Sequence, residues 1–215
     1  MAEILQKILD GKVVAIVRGI PSKDIIRTVQ ALNEGGIACV EVTFSLKSEE
    51  ESLDALKSIR MIKNYFGNTV AVGAGTVLTG QNVYRAKEAG AKYIISPNVD
   101  KEVIKTTKEL GMVSIPGAVT PTEVITAYNL GADVVKLFPA ASLGLAYVNA
   151  LMGPIDGIPL IAVGGIDSSN YADFIKAGCV GVGIGGNLVN KKLIGAGDFE
   201  AIKNLALAYG LKNRE

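Results

Sequence analysis

The sequence predicts an α/β fold, a (β/α)8 TIM barrel with a short N-terminal helix, formed as a single domain over residues 1–215. Three observations lead to it. Short β-rich runs alternate with helix-length amphipathic segments from end to end, the pattern of βα units around a parallel sheet. Eight such units can be counted, whereas doubly wound sheets usually use about five or six strands. A quasi-repeat of helix, glycine and strand recurs as NEGGIACVEV, EAGAKYIIS, ELGMVSIP, NLGADVVKL and KAGCVGVGI. Each glycine is expected to end a helix before the chain re-enters the sheet.

The elements follow in order. MAEILQKILDGK carries Ile4, Leu5, Ile8 and Leu9 at helical spacing and lacks the apolar core of a signal peptide, so it predicts a short helix closing one end of the barrel. The predicted strands are KVVAIVR (12–18), CVEVTF (39–44), VAVGAG (70–75), YIISP (93–97), VSIPGA (113–118), VVKLFP (134–139), LIAVGG (160–165) and GVGIGG (181–186). Helices fill the intervals; SKDIIRTVQALNEGG (22–36), for example, has Ser22 as its expected N-cap and glycines at its end.

Composition narrows the chemistry. Hydrophobic residues make up 49% of 215 positions, enough to bury a real core. Lys and Arg (22) nearly cancel Asp and Glu (21), so nothing suggests the basic surface that nucleic acid or an anionic membrane demands. The expected partner is a small molecule. No apolar run approaches the roughly 18 residues needed to span a bilayer, and Cys39 and Cys179 read as reduced thiols, which together point to the cytoplasm. Histidine is absent. That removes Ser-His-Asp and Cys-His nucleophile pairs, His-ligated zinc and histidine bases, leaving Lys, Glu, Asp, Arg, Tyr and hydroxyls.

In such barrels the chemistry sits at the C-terminal strand ends. There DVVKLFPA places Lys136 among Val134, Val135, Leu137 and Phe138, although lysine is almost never buried unless paired. It is either a structural ion pair or a desolvated, neutral amine able to form a Schiff base with a carbonyl. Glu41, in phase with Cys39 and Thr43, is either the neutralising partner of Lys136 or a proton-transfer group, and the two are compatible. The pairs Gly164–Gly165 and Gly185–Gly186 end the last two strands, where barrels often bind phosphate on backbone N–H groups; simple turn geometry is the alternative. Arg18 ends the first strand as a possible carboxylate clamp or a surface ion pair, and Thr76 offers a hydroxyl to substrate or to a turn. Tyr84, Tyr93 and Tyr128 read as packing on helical or outer positions.

Taken together, EVTF, GAGTVL, YIISPN, IPGAVTPTE, VKLFPA and the GG pairs, in order over nearly the whole chain, resemble the class I aldolases for 2-keto-3-deoxy-6-phosphogluconate and 2-keto-4-hydroxyglutarate. The resemblance implies that Lys136 is the Schiff-base lysine and Glu41 a general acid/base working through a bound water. Thr76 would contact the pyruvate carboxylate, Pro97 and Phe138 would line the pyruvate pocket, and Gly164, Gly165, Gly185 and Gly186 would hold the substrate phosphate. It further implies a homotrimer, no cofactor and no metal, with a phosphorylated 2-keto acid and pyruvate as the small-molecule partners. Three positions depart from many members: Ser45 in place of arginine four residues after the glutamate, Val163 in place of threonine before GG, and Gly186 in place of serine. Arg18 is then the substitute clamp, and backbone donors carry the anion site. The expected reaction is cleavage of 2-keto-3-deoxy-6-phosphogluconate to pyruvate and D-glyceraldehyde 3-phosphate. The galactonate epimer and hydroxyglutarate stay open, as do a non-covalent phosphate-binding isomerase or synthase and a silent binding protein.

Overall fold

Runs rich in Val, Ile and Ala, buried on both faces, pair side by side as parallel strands, because only a sheet covered on both sides hides such surface. A computed structural model describes residues 1–210. Its strands are β1 (Val13–Val17), β2 (Cys39–Thr43), β3 (Ala71–Gly75), β4 (Tyr93–Ile95), β5 (Val113–Ile115), β6 (Gly117–Ala118), β7 (Val135–Leu137), β8 (Leu160–Val163) and β9 (Gly181–Ile184). All pairings are parallel, in the order β5-β4-β3-β2-β1-β9-β8-β7-β6.

The two ends of that order, β5 and β6, are halves of one predicted strand, so the ring closes as eight. Pro116 divides them because it has no N–H to give to a ladder. Its carbonyl still accepts the Lys136 N–H at 2.8 Å, which holds β7 in register across the break.

Alternation sorts each strand into two faces. Val14, Ile16, Cys39, Ala71, Tyr93, Ile95, Val113, Ile115, Val134, Ile161 and Val163 fill the interior as one apolar cluster. Ile8 of α1 (Ala2–Gly11) joins it with Ile4 and Leu5, so the N-terminal helix plugs one end as expected. The opposite faces pack beneath the surrounding helices. The glycines of the quasi-repeat do end helices: Gly90 (φ 104°) and Gly131 (φ 100°) take the left-handed conformation that a side chain resists.

Three details differ from expectation. The strands stop one or two residues short of several predicted ends, since residues such as Gly164 and Gly165 have already turned into loops. Pro21, not Ser22, caps α2 (Ser22–Glu34); Ser22 is buried and its N–H donates to Asp54 Oδ2 at 2.8 Å, so a neighbouring carboxylate does the capping. Tyr93 is an interior residue rather than an outer one. Its ring lies over Gly73, where a Cβ would meet it at 2.2 Å, and its hydroxyl donates to the Val40 carbonyl.

Candidate active site

Lys136 on β7 is in phase with the interior Val134, so its side chain enters the barrel, and the residue is 7% exposed. Glu41 on β2 is 1% exposed. In a ring of eight, β2 and β7 are four strands apart in either direction, so the two groups face one another across the lumen. Burial holds the Lys136 amine below its ordinary value; Glu41 opposes that shift and Arg18 reinforces it. Burial pushes the Glu41 carboxyl up, with Lys136 and then Arg18 pulling it back. The ion pairs among the described residues, such as Lys108 with Asp133, involve neither group. An amine held toward its neutral form opposite a buried carboxylate can do nucleophilic and proton-transfer chemistry.

The Nζ of Lys136 lies 4.9 Å from the centre of the Phe138 ring, which is 39% exposed and so forms the lip of the mouth. That ring also packs against Gly164, where a Cβ would approach it to 3.1 Å. Arg18 follows β1 and donates from Nη2 to Thr76 Oγ1 at 3.3 Å, drawing the first and third units together. Thr76 takes φ 57°. A β-branched residue rarely adopts that conformation, and such strain tends to be kept where a side chain must be aimed. Pro97 is exposed just past β4; its carbonyl, rather than its ring, abuts Gly117 of β6.

The glycine pairs differ from one another. Gly164 (φ 94°) and Gly165 (φ 74°) need glycine for their backbone, whereas Gly185 and Gly186 do not and open onto free space. Asn187 Nδ2 donates to the Ile166 carbonyl at 3.2 Å, fastening the two loops together. The backbone N–H groups of Gly165, Ile166, Gly186 and Asn187 donate to no acceptor among the described residues. Four unused donors on two joined loops suit an anion.

Thr43 is a further polar residue at the strand ends that the sequence singles out without assigning it a role. Thr43 is 6% exposed and, among the described residues, its hydroxyl has no hydrogen-bond partner, an uncommon state for a buried polar group. The alternation Cys39, Glu41, Thr43 contained that signal.

A closed parallel barrel with charged groups converging at the strand ends defines the class of (β/α)8-barrel enzymes. The chain belongs to the KDPG and KHG aldolase family, whose model matches residues 4–205. It is thus an aldolase, a lyase. The 2-dehydro-3-deoxy-6-phosphogalactonate aldolase of Escherichia coli (strain K12) is 35% identical over 81% of this chain and 83% of its own. The 2-dehydro-3-deoxy-phosphogluconate aldolase of Haemophilus influenzae is 30% identical over 94% of this chain and 93% of its own. A solved structure of KDPG aldolase from Legionella pneumophila, with pyruvate captured at low pH as a covalent carbinolamine intermediate, superposes with a TM-score of 0.86. It is 26% identical and covers 96% of this chain and 97% of that one. Among the described residues no helix is long and apolar enough to cross a membrane.

Proposed function

We propose that the protein is a Schiff-base aldolase that cleaves a 2-keto-3-deoxy-6-phospho sugar acid to pyruvate and D-glyceraldehyde 3-phosphate. The observation that carries this reading is Lys136, buried inside the barrel mouth, without an ion-pair partner among the described residues and held toward its neutral form. The neutral amine attacks the C2 ketone to give a carbinolamine, and loss of water leaves an iminium. Glu41, directly or through a water, takes the C4 hydroxyl proton. The C3–C4 bond then breaks, its electrons pass to the iminium nitrogen, and the aldehyde leaves. Protonation of the enamine at C3 and hydrolysis release pyruvate and return the amine.

Arg18 and Thr76 are assigned to the substrate carboxylate, Phe138 and Pro97 to the wall of the pyruvate pocket, and Gly164, Gly165, Gly185 and Gly186 to the phosphate through their loops' N–H groups. The gluconate epimer is the substrate expected from the sequence. A second reading, the galactonate epimer, is favoured by the relative of that name at 35% identity. A coupled assay of pyruvate release across both epimers, their unphosphorylated analogues and 2-keto-4-hydroxyglutarate decides among them. Release from none of these acids would sink the aldolase reading.

A further inference from the structure

β3 (Ala71–Gly75) reads AVGAG, and its alternation sends Ala71, Gly73 and Gly75 toward the lumen. Both glycines lie beneath a large side chain from a neighbouring strand. Gly73 carries the Tyr93 ring. Gly75 carries Glu41: a Cβ there would lie 1.6 Å from Oε1, 2.4 Å from Cδ and 2.6 Å from Cγ. Neither glycine has a positive φ, so the backbone does not require glycine at these positions. Glycine inside a strand weakens it, and its usual justification is that something must approach the backbone closely. At Gly75 that something is the carboxylate of Glu41.

We propose that Gly75 is a positioning residue for proton transfer: its missing side chain is the slot in which the Glu41 carboxylate lies, against the wall opposite Lys136. Any Cβ at this position must drive the carboxylate out, because the atoms it meets first are the end of the Glu41 side chain itself, which is buried. The claim rests on Glu41 being the proton-transfer group, and the test separates the two.

The measurement is exchange of the pyruvate methyl protons in deuterium oxide, followed by NMR for wild type, Gly75→Ala, Glu41→Ala and the double variant. This reports formation and reprotonation of the enamine without needing the sugar acid. Gly75→Ala is expected to lower the exchange rate by about 10²-fold at saturating pyruvate, with KM little changed, because the loss is that of a positioned acid/base. Once Glu41 is alanine, adding Gly75→Ala is expected to change the rate by less than about threefold, since the two act as one unit. An exchange rate for Gly75→Ala close to wild type would overturn the proposal, as would an equal loss in both backgrounds. Should Gly75→Ala fail to fold, the double variant, relieved of the clash, is expected to melt cooperatively; a double variant that also fails overturns the proposal. A Glu41→Ala variant as fast as wild type would instead remove the proton-transfer role, and the slot with it.

Discussion

At Lys136 the opposing effects have a clear order: burial outweighs the attraction of Glu41, so the folded-state pKa falls below the 10.5 of an ordinary lysine. The unfolded chain then binds the proton more readily than the folded one, and this residue's contribution to stability improves as pH rises from the folded to the unfolded pKa. Lys136→Met also removes a countercharge from Glu41, so the expected readout is the difference: its effect on the melting temperature should be more favourable at pH 6 than near pH 10, and an equal effect at both would deny the shifted amine. Activity has the same sign, because kcat/KM should climb with pH as the amine deprotonates, with its limb below the ordinary lysine range. Glu41 belongs to the same balance. Glu41→Gln keeps its shape and should slow turnover by roughly 10²–10⁴-fold while leaving the fold intact, as circular dichroism can show. Lys136 and Glu41 were both legible in the sequence because each is a charge at an inward-facing position of an apolar strand. Tyr93 was not, since its inward placement depends on the space that Gly73 leaves one strand away.

At the level of elements, alternation and helix-ending glycines made the eight units and the N-terminal plug readable, whereas the strand ends were not. The residues that leave the sheet, Gly164 and Gly165 among them, are as apolar as those that stay in it. The division of a strand at Pro116 follows from a missing N–H that the sequence displayed, and the Lys136 bond to its carbonyl is a tertiary consequence that it did not. The paired loops after β8 and β9 invite a test at Gly186, whose Cβ would meet no atom of the described residues within 4 Å and whose φ is not positive. Gly165 is unsuitable, because φ 74° and Ala141 at 2.7 Å strain any substitution. Gly186→Asp should lower kcat/KM for the phosphorylated acid by roughly tenfold or more, a charge repulsion in a partly desolvated site, and leave pyruvate exchange unchanged. Equal loss with phosphorylated and unphosphorylated acids would move the anion site elsewhere.

For the whole molecule, the barrel explains why the two decisive groups, 95 residues apart in the chain, share one lumen: β2 and β7 are opposite staves. The homotrimer that the resemblance implies is a proposal on this scale, and sedimentation equilibrium should return three times the 22.4 kDa chain mass. The central claim is that a covalent bond forms at Lys136, and trapping tests it most directly. Borohydride added with pyruvate should inactivate the enzyme and leave one stable adduct, mapped by peptide mass to Lys136 alone. Lys136→Arg, which keeps the charge but offers no usable nucleophile, should show neither adduct nor turnover. An adduct on a different lysine, or an active arginine variant, would contradict the account.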